Sequence, residues 1–386
     1  MVEVIFWGSI FLMLYVYFGY PLFIAILACI RAYIKKDDHL LQQDYEPTVS
    51  LIIAAYNEEK VIAEKIENSL KLDYPKDKLE IIVFSDASTD KTDEIVKSYS
   101  DKGIKLFRIE GRKGKVYCKN ITAERAQGEI LVFSDANSMY ERNVIKKLVA
   151  HFSDPKVGCV AGELRYRKDS AVEGENLYWR YEQFIKRFEG KIGNLTTVNG
   201  AIYAIPKRYY PVLPIDVSDD FGHTLLIKAK GLKVIHEPEA LAWEETSENL
   251  LLEFKRRIRM VNQASYGLFY KREFRALLNP LKHGLFSFQL WSHKVLRWLS
   301  GIFLILAFLT NILLVGEGDI YIFFIACQSI FYIFAIWGLL QEGLFKKKAP
   351  KIPHIAGYFV IMCYAMLKGF IKGLLRKPTI IWTPIR

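Results

Sequence analysis

Cysteine is scarce: the 386 residues hold five, Cys29, Cys118, Cys159, Cys327 and Cys363. None falls into a paired spacing and three lie inside long apolar runs, which argues against a disulfide framework or a cysteine zinc site. Long runs without charge lie toward both ends of the chain. Val4 to Ile30 runs 27 residues without one, and a helix needs only about 20 apolar residues to cross a bilayer. Trp298 to Val315 adds 18 uncharged residues, Ile320 to Leu340 adds 21, and Ile352 to Leu367 adds a marginal 16. A secretory leader has a basic start and a short apolar run. Here the only early charge is Glu3, so the first run reads as a retained transmembrane anchor. No basic stripe interleaved with stacking aromatics is present. The net charge of +11 therefore points to anionic lipid headgroups beside the spans and not to nucleic acid. Three or four spans without internal symmetry or a charge at mid-depth make a poor transporter.

Basic residues set the orientation. Arg31, Lys35 and Lys36 follow the first run, Arg297 precedes the second, and Lys346, Lys347 and Lys348 follow the third. The positive-inside rule then places the long middle segment in the cytosol of a plasma-membrane protein. The fourth run conflicts, because a crossing there would leave Lys368, Lys372, Arg376, Lys377 and Arg386 outside. A crossing helix and one lying along the inner face both stay open. The divisions expected are an anchor over 1–34, a catalytic domain over 46–245, interfacial helices over 246–296 and a membrane region over 297–386.

The middle segment alternates short apolar runs with helical patterns. Strands are expected at Val49–Ile53, Ile81–Phe84, Ile104–Phe107 and Ile130–Phe133. Helices are expected from Glu58 to Leu70, Thr92 to Ser100, Lys115 to Ala126, Asn143 to Phe152 and Phe221 to Lys230. That alternation predicts an α/β fold with a mixed, mostly parallel sheet covered on both faces. Ligands of such sheets bind beyond the carboxyl ends of the strands. Three of these ends carry acidic and polar residues: Tyr56-Asn57-Glu58, Ser85-Asp86-Ala87-Ser88-Thr89-Asp90 and Ser134-Asp135-Ala136-Asn137. Each acid alone reads as an ordinary cap or turn, and Asp90 is best read so; three together predict a shared site. The basic run Arg112-Lys113-Gly114-Lys115 is not a Walker loop, because Gly111 stands too close to Gly114 and Val116 replaces the hydroxyl.

Taken in order, these segments resemble the family 2 glycosyltransferases, and in particular the membrane-anchored synthases of hyaluronan, cellulose and poly-N-acetylglucosamine. The series is Ala55-Tyr56-Asn57-Glu58, Asp86-x-Ser88-Thr89-Asp90, Gly114-Lys115 with Asn120, Asp135-x-Asn137, Asn199-Gly200, Ser218-Asp219-Asp220 and Arg256-Arg257-Ile258-Arg259. The resemblance covers about residues 46 to 265. It implies a GT-A nucleotide-sugar fold, a UDP-sugar donor, inversion at the anomeric carbon, and a glycan or lipid-linked acceptor.

The resemblance also implies roles. Ala55, Tyr56, Glu58, Asp86, Lys115 and Asp135 match nucleotide-sugar-binding positions. Asp135 matches the carboxylate for Mg2+ or Mn2+, a hard cation that neutralises a diphosphate leaving group. Asn137 stands where a second Asp is usual, so it offers an amide oxygen without charge. Asp220 matches the general base that takes the acceptor proton, with Asp219 supporting it. The local alternative is a helix capped at Ser218, and a cap and a base are compatible. His223, one His on a helix, reads as packed. Asn199, Gly200 and Trp243 match acceptor-binding positions, although a strand turn and ordinary core account for them too. Arg259 matches the guanidinium that holds the diphosphate. The usual Gln-x-x-Arg-Trp is absent, and Met260 occupies the Trp position. Segments such as Leu285–Trp291 read as interfacial helices, and Trp382 and Arg386 as a terminal cover or anchor. The main reading is polysaccharide synthesis. Single-sugar transfer to a polyprenyl carrier and a non-catalytic synthase subunit remain as alternatives.

Overall fold

A computed structural model of the chain describes residues 1–34, 45–166, 173–245, 250–343 and 349–379. Lys35, Lys36, Lys346, Lys347, Lys348, Trp382 and Arg386, invoked above, lie outside the described residues. Between Val49 and Glu244 run eight strands: β1 (Val49–Ala55), β2 (Leu79–Asp86), β3 (Ile104–Ile109), β4 (Ile130–Asp135), β5 (Met139–Tyr140), β6 (Val157–Tyr166), β7 (Ile202–Pro206) and β8 (Lys233–Glu244). They form one sheet in the order β3-β2-β1-β4-β7-β6-β8-β5. The pairs β3/β2, β2/β1, β1/β4 and β6/β8 are parallel, whereas β7 runs antiparallel between β4 and β6, and β5 antiparallel on β8. The expected mixed, mostly parallel sheet is observed.

All seven residues of β1 are buried. Leu51 and Ile53 join one apolar layer with Val83 and Val132, while Ile52 and Ala54 join the other with Phe84 and Phe133. Two-sided burial is why these strands read as unbroken apolar runs. Register then sets the site. Ala54 lies opposite Asp135 and Ala55 opposite Ser85, so the carboxyl ends of β1, β2 and β4 finish level. The expected helices appear with ends moved by a few residues, the largest change being at Ile62–Leu70, where Glu58 to Val61 form a turn instead.

Among the described residues, four helices are long and apolar enough to cross a membrane: Val2–Ile34, Ser300–Glu317, Asp319–Gly343 and Lys351–Leu374. The first carries a π turn at Tyr15–Gly19. Pro21, two residues on, lacks the N–H that the ladder needs there, which accounts for the irregularity. The last is 24 residues long, well beyond its 16 uncharged residues, and is the most buried of the four. It packs along the Leu250–Tyr270 helix through small residues. A Cβ on Gly369 would lie 2.7 Å from the Ile258 carbonyl oxygen, and one on Gly373 would meet Ser265 Oγ and the Asn262 carbonyl. Close backbone approach through glycine is a common way for helices to pack in membranes. Gly369→Leu is expected to separate the two helices, costing about 1–3 kcal/mol. Thermal unfolding of the full chain in detergent, with Gly343→Leu as the unhindered control, measures this.

Candidate active site

The level strand ends open onto a cavity of about 320 Å3. Lys115, Asp135, Asn137, Asn199, Gly200, Asp219, Asp220 and Arg259 all line it, together with Glu58. Residues from Glu58 to Arg259 are thus gathered at one edge of the sheet. Asp135, the last residue of β4, pairs with Lys115 at 2.5 Å. Lys115 opens the Lys115–Arg125 helix after Gly114, whose φ of 92° suits glycine. Burial works against the Lys115 charge, but Asp135 and Asp219 outweigh it and hold its pKa above the usual lysine value. Across the cavity a Cβ placed on Gly200 would lie 3.8 Å from Asp220 Cβ and 4.0 Å from Lys115 Nζ. Gly200 therefore keeps open the space between these two groups.

Asp219 and Asp220 begin the Asp219–Ala229 helix behind Ser218, and their environments differ. Burial would raise the Asp219 pKa, yet Lys119 and Lys115 hold it well below the carboxylate range. Lys119, fully buried, bonds Asp219 and lies 3.2 Å from Tyr203 Oη. Asp220 is raised instead, by burial first and then by the Asp219 charge. One carboxylate is clamped while its neighbour has an increased proton affinity, the division expected of a support and a base. His223 is buried with Nδ1 3.1 Å from Tyr203 Oη, and burial pushes its imidazole down to about 3. It is a packed residue.

Asp86 lies buried against the loop that carries Gly114, just before Lys115. Asp86 accepts from the backbone N–H groups of Lys113 and Gly114 at 2.8 and 3.1 Å and from Arg112 at 2.7 Å. Arg112 in turn lies 3.2 Å from the centre of the Tyr56 ring. Asp86 and Tyr56 are therefore brought together, but they do not line the main cavity, and Ala55 is buried beside it. Three left-handed non-glycine residues, Asn57, Ala87 and Arg112, stand just past the ends of β1, β2 and β3. Such backbone costs energy and clusters at functional loops. Asp90 accepts from the N–H groups of Glu59 and Thr92 at 3.1 and 3.0 Å, so it clasps two loops as a turn residue. Asn120 ties down the loop at Leu213.

Trp243 stands apart. It faces away from the cavity, 3.4 Å from Glu141, whereas the next residue along the strand, Glu244, lines the cavity. Among the described residues no group of three His, Cys, Asp or Glu side chains forms a metal cage. Glu244 is nevertheless raised, first by burial and then by Asp135. Asp135 and Glu244, with the Asn137 amide lining the same cavity, suit a hard cation that takes its other ligands from phosphate. Sequence reasoning passed over Lys119 and the charged wall made by Glu182, Lys186, Lys294 and Arg297. The i, i+4, i+7 spacing of Glu182, Lys186 and Glu189 was the available signal.

Two family descriptions match the chain. Glycosyl transferase family group 2 covers residues 130–340, more than half of it, and Glycosyl transferase family 2 covers residues 50–208. The chain belongs to glycosyl transferase family group 2. This glycosyltransferase is 24% identical over 372 residues to the poly-beta-1,6-N-acetyl-D-glucosamine synthase of Staphylococcus epidermidis, covering 90% of this chain and 88% of that one. It is 25% identical over 236 residues to the Staphylococcus aureus synthase of the same name, covering 58% and 56%. A mannosyltransferase from Pyrobaculum calidifontis, solved with GDP-mannose and Mn2+, superposes with a TM-score of 0.72 at 23% identity, over 98% of this chain and 100% of that one. The likeness places this glycosyltransferase in the same fold.

Lys119→Met is expected to destabilise the glycosyltransferase by about 3–5 kcal/mol, because it strands the buried Asp219 charge. Adding Asp219→Asn to Lys119→Met should recover part of that loss. Unfolding of the two single variants and the double variant in detergent gives the coupling.

Proposed function

We propose that this chain is an inverting, metal-dependent transferase that moves a sugar from a UDP-sugar onto a growing exported or cell-surface polysaccharide. The observation that carries the reading is Asp220, a cavity carboxylate of raised proton affinity, sharing its space with the Lys115–Asp135 pair and Arg259. The acceptor hydroxyl loses its proton to Asp220 as its oxygen bonds the anomeric carbon. The bond from that carbon to the diphosphate breaks on the opposite face, which inverts the configuration. Lys115 and Arg259 supply positive charge where the leaving diphosphate gathers negative charge. Asp135, with Asn137 and Glu244, would hold Mg2+ or Mn2+, whose chemistry is to neutralise the same oxygens. Asp86 and Tyr56 would receive the nucleoside once Arg112 moves aside. Asn199 and Gly200 border the acceptor, and Trp243 is left without a part in this scheme.

The names of the staphylococcal relatives support a polymer of an aminosugar. Single-sugar transfer to a lipid carrier is the second reading, favoured by Met260 at the position where a Trp would hold a chain. A non-catalytic subunit fits less well, since Asp86, Asp135, Asp220 and Arg259 are all present. The apolar helices are read as plasma-membrane spans and residues 46–245 as a cytosolic domain. Arg31 supports this, because it ends the first span and donates to the Ile192 carbonyl at 2.9 Å.

UDP release by the full chain in nanodiscs, across a panel of UDP-sugars and GDP-mannose with Mg2+ or Mn2+, tests the reading. Turnover with one donor is expected, and Asp220→Asn should lower it by about 10²–10⁴-fold; an unchanged rate removes Asp220 as the base. Sizing of the product separates polymer from single transfer. The base acts ionised, and its surroundings favour the protonated form. Turnover should therefore fall on acidification with a midpoint above the ordinary Asp value of about 3.9. A midpoint at or below that value contradicts the assignment.

A further inference from the structure

Lys186 stands in the cavity wall and has no part in the chemistry above. It lies on the Glu173–Lys191 helix, 4% exposed. Burying an ammonium is costly, and a methionine of similar length would pack there without that cost. Its Nζ donates to Asn199 Oδ1 at 2.7 Å and to the Val198 carbonyl at 3.4 Å. Among the described residues it makes no ion pair; Glu182, Asp220 and Glu189 act on its charge from longer range.

Both bonds go to one turn. Asn199 is itself buried, and its Nδ2 donates to the Gly162 carbonyl of β6 at 2.9 Å. The Asn199 carbonyl accepts from the Ile202 N–H at 3.0 Å, where β7 begins. The side-chain amide is thus held at both ends, and the turn presents Gly200 to the space beside Asp220. Lys186 secures one flank of that space and Asp220 forms the other. Their charges favour each other, the carboxylate supporting the ammonium and the ammonium the carboxylate.

The other charges around the pair are engaged elsewhere. Asp219 is clamped by Lys119, Lys115 is paired with Asp135, and Arg259 answers Asp219 and Asp135 as well as Asp220. Around Lys186 stand Glu182 and Glu189 on its own helix and Lys294 on the segment that leads into the second span. His236 on β8 is also near, but burial pushes it down to about 3 and keeps it neutral. Burial brings Lys186 down to about 8 against the pull of the acids, so it is charged at neutral pH.

We propose that Lys186 is a positioning residue, whose ammonium fixes the Asn199–Gly200 turn opposite Asp220 and holds that base in its charged form. This rests on the transferase reading and adds to it the group that keeps the base ready. Lys186 acts through Asn199 and Asp220; the proton of the acceptor hydroxyl still goes to Asp220. Without the ammonium, burial and Asp219 both favour protonated Asp220 and are less opposed. The acid limb of turnover then moves to higher pH.

The test follows two readouts in the full chain in nanodiscs. One is the pH profile of UDP release with a UDP-sugar that supports turnover. The other is the infrared carbonyl stretch of protonated Asp220, identified by its loss in Asp220→Asn. Lys186→Gln removes the charge and keeps an N–H for Asn199. It should move both midpoints upward by about one pH unit, with the donor KM unchanged. Lys186→Met should move them in the same direction, and it carries the test if the Gln variant fails to fold. Lys186→Arg keeps the charge and should return both to the unsubstituted value. A role in packing alone would lower stability and leave the midpoints in place. Unmoved midpoints in the two neutral variants, or an equal movement in Lys186→Arg, overturn the proposal. A moved infrared midpoint without UDP release supports the action of Lys186 on Asp220 and counts against the transferase reading. UDP release with unmoved midpoints keeps that reading and removes Lys186 from it.

Discussion

The buried ammonium of Lys119 is the constraint on which the site depends. It reaches from the Lys115–Arg125 helix, behind Phe133 of the central strand, to Asp219 at the start of a helix a hundred residues later. A lone charge at that depth would be intolerable, and only a partner with good geometry makes it stable. Once Asp219 is held, its neighbour Asp220 has one available position, over the space left open by Gly200. Burial and then the charge on Asp219 raise the proton affinity of Asp220. One buried pair thereby helps to fix where the proposed base stands and adds to its proton affinity.

The same helix serves the other half of the site. Its first residue, Lys115, meets Asp135 at the end of β4, and the loop before it supplies the N–H groups and the guanidinium that surround Asp86. Register makes this possible. Parallel pairing of β2, β1 and β4 brings the strand ends to one level, so short loops from three strands converge. The left-handed backbone at Asn57, Ala87 and Arg112 shows that convergence has a conformational cost, of order 1–3 kcal/mol for each residue. Asp90 and its hydrogen bonds to two loops offset part of it.

The membrane helices are part of this arrangement. The first span ends in Arg31, which bonds to the backbone at Ile192, and its Tyr20 bonds to Glu189 inside the domain. The last apolar helix lies against Leu250–Tyr270 through Gly369 and Gly373, and that helix carries Arg259. Beyond it, the Lys377 carbonyl and the Thr379 N–H pair with Asn262 at 3.0 Å each. A change in how the apolar helices pack therefore reaches Arg259 in the cavity wall through one helix.

Much of this was legible before any coordinates. Long uncharged runs mark the apolar helices because a bilayer demands length and apolarity, both of which are local. The first four strands were legible because burial on both faces leaves unbroken apolar runs, and the acids at their ends follow from the rule that sheets bind ligands there. Strands β5 to β8 and the Glu173–Lys191 helix were not singled out; their pairing is antiparallel in part and set by distant partners. Trp243 shows the limit most clearly. The resemblance matched it to an acceptor position, but alternation along β8 turns it away from the cavity that Glu244 lines. Lys119 and Lys186 were passed over and Arg297 served only to orient the spans, because charge in sequence is presumed solvated. Only the tertiary structure decided which of them lost water and which side chain replaced it.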